Sequence, residues 1–136
     1  MQSELYSEII LDLYKNPLNK GEIEGAELTA EGGNPLCGDY AKIFLRIKNN
    51  VIEDAKFLGN GCAISVASES ILTEMLKGKK LSEAKKLTEK ELFAELGNII
   101  QTRIKCALLG LIIVKKGFEE FEKNGGKQTE VRGIKI

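Results

Sequence analysis

The stretch that decides the fold is "YAKIFLRIKNNVIEDAKFL", residues 40–58. Its first half alternates. Ala41, Ile43, Leu45 and Ile47 fall on one side of an extended chain, and Lys42, Arg46 and Lys48 on the other. Asn49-Asn50 then offers a two-residue reversal, because asparagine tolerates the positive φ that tight hairpin turns require. Val51 to Leu58 returns as the partner strand. Upstream, Ile23 to Glu31 carries the same period of two, with Ala26, Leu28 and Ala30 on one face, before "EGGNP" breaks it. Three consecutive strands with short connections read as an antiparallel sheet that keeps one polar face.

The flanks are helical. Ser3 to Tyr14 spaces Leu5, Ile9, Ile10, Leu13 and Tyr14 as one helix face, with Ser3 as its cap and Asn16-Pro17 as its end. "GNG" at 59–61 closes the third strand, and from Ala63 the period becomes helical through Ile64, Ala67, Ile71 and Met75, widened by Leu72 and Leu76. Gly78 stops that helix. Leu81 to Lys86 is a short helical piece, and Thr88 with Glu91 forms a capping box that opens another helix to about Leu96. Arg103 to Lys123 is a long last helix whose face carries Ala107, Leu111, Val114, Phe118 and Phe121. "NGGKQTEVRGIKI", from residue 124 onwards, reads as a loose, flexible tail. The expectation is an α+β fold, a three-stranded antiparallel sheet covered by helices on one face, in one domain over residues 1–136.

Composition narrows the function. The 136 residues suffice for one core, and 20 basic residues balance 20 acidic ones. That balance gives no electrostatic footing for nucleic acid or an anionic membrane. The longest apolar run, "CALLGLIIV" at 106–114, is far short of the roughly 20 residues a membrane-spanning helix needs. The first residues resemble neither a secretory signal nor a basic transit peptide, so a cytoplasmic location is expected. Three cysteines and no histidine argue for reduced thiols rather than a disulfide framework.

Those thiols all fall at element junctions. Cys37 stands in the loop before the second strand, Cys62 follows Gly59 and Gly61 at a helix start, and Cys106 lies in the first turn of the last helix. In a meander the entry of strand two and the exit of strand three share one end of the sheet, which brings Cys37 and Cys62 together. Cys106 joins them if the last helix starts over that end. Helix-start amides favour a thiolate and should lower these pKa values. Asp39, two residues from Cys37, projects to the same side of an extended segment. A buried structural role for each cysteine competes with a shared site. As a site, three thiolates and one carboxylate suit either Zn²⁺ or an iron–sulfur cluster. No C-x-x-C pair is present, which disfavours zinc ribbons and thioredoxin-like motifs.

These motifs, in this order, resemble the iron–sulfur cluster assembly scaffold family, the IscU, SufU and NifU N-terminal-domain proteins. "GGNPLCGDY" at 32–40 resembles the family's Asn-Pro-x-Cys-Gly-Asp segment, and "GNGCAISVASES" at 59–70 its Gly-Cys-x-x-Ser-x-Ala-Ser-x-Ser segment. "RIKCALLGL" at 103–111 stands where the family has its third cysteine. The resemblance implies a scaffold rather than an enzyme. A cysteine desulfurase delivers sulfur, a transient [2Fe–2S] cluster is assembled, and apo iron–sulfur proteins receive it. Cys37, Asp39, Cys62 and Cys106 would be the ligands, and Cys106 the sulfur acceptor.

Two departures matter. The better-known scaffolds carry His immediately before the third cysteine, where this chain has Lys105. Lysine has no lone pair at neutral pH, so Asp39 is the better fourth ligand, and Lys105 either pairs with Asp39 or is a solvated helix residue. The Leu-Pro-Pro-Val-Lys stretch of scaffolds served by an Hsp70-type chaperone is replaced by "IIQTRIK" at 99–105, so the resemblance does not extend to that partner. "RIKC" and "GCAIS" lean towards the SufU-like branch, some of whose members are zinc-containing sulfurtransferases, although the insertion usual there between the second and third cysteines is missing. The residues around the site are expected to be small for a reason, with Ser65, Ser68 and Ser70 keeping bulk away and Gly110 and Gly117 leaving room for a cluster or partner. Oligomeric state is left open.

Overall fold

The computed structural model describes residues 8–36, 38–97, 99 and 101–136. The central hairpin forms as its sequence dictates. Strands β2 (Asp39–Lys48) and β3 (Val51–Asn60) pair antiparallel, and Asn49 and Asn50 both take positive φ, 51° and 60°, the geometry of a two-residue hairpin turn. Strand β1 (Leu28–Asn34) pairs antiparallel with the other edge of β2.

The sheet has four strands, not three. The stretch expected to be a loose tail contains β4 (Thr129–Lys135), which pairs parallel with β1 in the order β3-β2-β1-β4. A register shift between Ala30 and Gly32 interrupts this pairing, and Gly133 sits in the left-handed region at φ +72°, so Val131 and Ile134 reach inward out of step. Gly32 makes the close approach feasible. A Cβ there would lie 2.2 Å from the Ile134 carbonyl oxygen.

The first strand also starts later than expected, at Leu28 rather than Ile23. Arg46 extends its guanidinium to the carbonyls of Glu24 and Gly25, and the Glu27 carboxylate accepts from the Ile47 amide. Side chains of β2 and of the incoming segment thus satisfy backbone groups that a longer ladder would have used.

Helix α1 (Glu8–Lys15) buries Ile10 and Leu13, and the proposed Ser3 cap lies outside the described residues. Helix α2 (Ala63–Leu76), the short α3 (Leu81–Ala84), α4 (Glu89–Leu96) and the long α5 (Ile104–Lys123) follow the expected order. Thr88 and Glu91 close the capping box at α4. α2 and α5 lie against each other and across the sheet, with α1 and α4 against α2. The core between them includes Ile43, Leu45, Phe57, Ile64, Leu72, Ile113 and Phe118, each no more than 2% exposed. Burying a side chain of this size is worth about 1.5–3 kcal/mol. No helix among the described residues is long and apolar enough to cross a membrane.

This packing sets the start of α5 beside the start of α2 and the open end of the β2–β3 hairpin. Ser68 fixes the two helices to each other by donating to the Ala107 carbonyl at 2.5 Å. Ser70 accepts from the Leu18 amide at 3.2 Å. Both serines therefore brace the helix they stand on.

Candidate metal and cluster site

Three of the expected residues converge. The ligand atoms of Asp39, Cys62 and Cys106 all lie within 4.8 Å of one another. Each comes from a different element. Asp39 is the first residue of β2, Cys62 is the residue from which α2 starts, and Cys106 is in the first turn of α5. Cys62 donates towards Asp39 with its Sγ 3.8 Å from Oδ2. Asp39 and Cys106 are each 6% exposed while Cys62 is half-buried, so the set sits just under the surface with one thiol nearest to solvent. A groove lined by Asn34, Pro35, Gly38, Tyr40 and Ile134 opens on Asp39. Cys37 lies outside the described residues.

Glycine makes this convergence sterically feasible. A Cβ on Gly61 would sit 2.6 Å from both Asp39 Oδ1 and Ser65 Oγ, and its φ of +157° is one that side-chain-bearing residues rarely adopt. The carboxylate of Asp39 therefore occupies the place a side chain would have taken.

The electrostatics differ from the expectation at Cys106. A helix start should lower its pKa, yet burial pushes the thiol up to about 12, and the Cys62 thiol and Asp39 carboxylate add to the rise. Desolvation outweighs the helix-end amides because the first turn of α5 is packed under α2. A bound cation reverses this balance, since a coordinating thiol is deprotonated outright. Lys105 is exposed and makes no ion pair with Asp39 among the described residues, so the option of a Lys105–Asp39 pair is not realised.

One functional candidate was not singled out in the sequence. Glu69, on α2, is 1% exposed, and neither of its carboxylate oxygens has a hydrogen-bond partner. Burial, the Asp39 carboxylate and the Cys62 thiol hold its pKa well above the usual carboxyl range. Gly59 and Gly110 flank it, for a Cβ on Gly59 would meet Glu69 Oε1 at 2.5 Å and one on Gly110 would meet Glu69 Cγ at 3.1 Å. Gly110 thus makes room for Glu69 and Leu72, and Gly117 for Ala30 and Leu28, rather than for a cluster. The available signal was a charged residue seven after Cys62, set among the small residues Ser65, Ala67, Ser68 and Ser70.

The donor chemistry fits a soft or borderline metal. Two thiols and a carboxylate converge within 4.8 Å of one another, and among the described residues the buried side chain whose oxygens lack a hydrogen-bond partner is another carboxyl, Glu69.

The chain is similar to known proteins. Residues 5–128 match the family model described as NifU-like N terminal domain. The chain is 35% identical over 130 residues to the iron-sulfur cluster assembly scaffold protein IscU 1 of Archaeoglobus fulgidus, covering 96% of this chain and 85% of that protein. It is also 35% identical over 138 residues to the zinc-dependent sulfurtransferase SufU of Bacillus subtilis, covering 87% and 92%. Among solved structures it resembles a putative iron-sulfur cluster assembly scaffold protein for the SUF system from Fervidobacterium islandicum, with a TM-score of 0.74, 30% identity, and coverage of 87% of this chain and 99% of that one. With its fold, its converged Asp39–Cys62–Cys106 set and these likenesses, the chain belongs to the IscU/SufU/NifU N-terminal-domain family.

Proposed function

We propose that this protein is a scaffold for iron–sulfur cluster assembly, not an enzyme in the ordinary sense, and that its cargo is a transient [2Fe–2S] cluster. The observation that carries this reading is the gathering of Asp39, Cys62 and Cys106 within 4.8 Å at a site just below the surface. Cys37, two residues before Asp39, is the third thiolate of the proposed ligand set, and Cys106 the acceptor of sulfur from a cysteine desulfurase.

The chain's own residues account for a carrier that binds and then releases. Thiolates are strong ligands for iron in the presence of sulfide, whereas a carboxylate is a harder donor that competes poorly for such a centre. Asp39 is therefore the ligand expected to let go first. Half-buried Cys62 offers a contact edge for a recipient protein. Buried Cys106 is kept as a neutral thiol until a metal or a reaction partner removes its proton, which limits its oxidation while the site is waiting. Apo iron–sulfur proteins are the recipients.

A second reading is a zinc-dependent sulfurtransferase, in which the same residues hold Zn²⁺ and Cys106 relays sulfur. It draws support from the absence of histidine, which leaves an Asp-Cys donor set, and from the likeness to the Bacillus subtilis protein of that name. Anaerobic purification followed by iron, zinc and sulfide analysis and visible absorption, before and after incubation with a cysteine desulfurase and Fe²⁺, separates the two. The scaffold reading expects iron and sulfide to appear together with a visible chromophore. Stoichiometric zinc that persists, no chromophore and faster desulfurase turnover would establish the sulfurtransferase.

A further inference from the structure

Glu69 is at odds with its surroundings. It is 1% exposed and both of its oxygens lack a partner, and the groups acting on it, Asp39 and Cys62, are acidic. A buried carboxyl without a hydrogen bond or a cation is costly, and native interiors retain few such groups without a use. Two carboxyls and two thiols lie together, and the ion pairs of Arg46, Lys77, Lys85, Lys123 and Arg132 all go to other carboxylates.

The glycines show where the two carboxyls point. Glu69 Oε1 is 2.5 Å from the Cβ position of Gly59, and Asp39 Oδ1 is 2.6 Å from that of Gly61. Gly59 is in β3 and Gly61 lies just past its end, so both carboxyls meet one short run of backbone. The carboxyls of α2 and β2 thus both approach the end of β3, with Glu69 beside the Asp39–Cys62–Cys106 set and outside its 4.8 Å span. In α2 the Cα–Cβ bond tilts towards the helix start, which carries the Glu69 side chain in the direction of Cys62. Gly110, on α5 one turn beyond Cys106, closes the other side against Glu69 Cγ at 3.1 Å.

We propose that Glu69 is a further ligand of the divalent metal ion taken up at this site, adding a second carboxylate oxygen to Asp39, Cys62 and Cys106. This rests on the reading of the site as one that handles metal. The ions concerned are those that accept oxygen and sulfur donors together, Fe²⁺ and Zn²⁺. On binding, the carboxyl proton leaves to solvent and a carboxylate oxygen bonds to the ion, with no change of oxidation state. A second hard donor holds ferrous iron on the site before sulfide is present, and yields to sulfur ligands afterwards.

The test uses Co²⁺ as a spectroscopic stand-in under anaerobic conditions, with affinity measured by chelator competition. Wild type, Glu69→Gln, Glu69→Met and Asp39→Ala are compared, and folding is checked by circular dichroism. The Glu69 variants should bind Co²⁺ about 10- to 100-fold more weakly, with altered visible ligand-field bands and retained sulfur-to-cobalt charge transfer. Glu69→Met keeps the volume but offers no oxygen, so its thermal midpoint should rise less on adding Co²⁺ than that of wild type. Wild-type affinity and spectrum in both Glu69 variants, with binding lost in Asp39→Ala, would overturn the role of Glu69 and leave the site intact. Failure of the wild type itself to bind Co²⁺ would overturn both.

Discussion

Gly59 has no side chain because Glu69 occupies its place: a Cβ there would come within 2.5 Å of Glu69 Oε1. Gly59→Ala should therefore push the buried carboxyl aside and destabilise the protein by about 1–3 kcal/mol, the range for overpacking a tight interior. In a double-mutant cycle with Glu69→Ala, the two losses should sum to more than the double variant's loss, by about 0.5–3 kcal/mol. Chemical denaturation of the four proteins measures this. Strict additivity would show that the two residues do not press on each other.

Glu69 itself should be a burden to the metal-free protein. Replacing it with Met removes an unpartnered buried carboxyl and keeps similar volume, so the variant should be more stable without metal, by about 1–3 kcal/mol. Thermal unfolding in the presence of a chelator tests the sign. A less stable variant would mean that the carboxyl makes a stabilising contact in the metal-free protein.

Gly61 holds Asp39 in position. A side chain at Gly61 would collide with Asp39 Oδ1 and Ser65 Oγ, each 2.6 Å from its Cβ, and φ of +157° adds strain. Gly61→Ala should lower Zn²⁺ affinity by about 10-fold or more while far-ultraviolet circular dichroism stays native. Unchanged affinity would mean that the Asp39 carboxylate is not a ligand.

The sign of the pH dependence follows from Cys106. Its thiol is neutral at physiological pH because burial raises its pKa to about 12, and metal binding must expel that proton. Apparent Zn²⁺ affinity should therefore rise with pH, by up to about tenfold per unit for each proton displaced. Cys106→Ser should weaken binding and reduce the slope by about one proton. A slope identical in the two proteins would contradict a thiol that is protonated in the free site.

The hairpin and the helix order were legible because their signals are local: strict alternation in β2, Asn49-Asn50 at the turn, and the Thr88–Glu91 box. β4 was not, because parallel pairing with β1 joins segments about a hundred residues apart and the shift near Gly32 breaks the period of two. Asp39, Cys62 and Cys106 could be placed together from their positions at strand and helix ends. Glu69 was not legible because a glutamate on a helix belongs by default on the solvent side, and it is tertiary packing against Gly59 of β3 and Gly110 of α5 that buries it. That packing also reverses the expected direction of the Cys106 shift, since desolvation is a property of the assembled core and not of the helix start.

The most direct test of the scaffold is transfer of its cargo. The protein is loaded anaerobically with Fe²⁺ and desulfurase-derived sulfur, separated from both, and mixed with an apo-ferredoxin while the ferredoxin spectrum is followed. The account predicts that wild type carries a [2Fe–2S] chromophore and delivers it to the ferredoxin, and that Asp39→Ala retains the cluster and delivers it more slowly. A protein that holds only zinc and transfers no cluster would contradict it, and an Asp39→Ala rate equal to wild type would exclude Asp39 as the residue that releases the cargo.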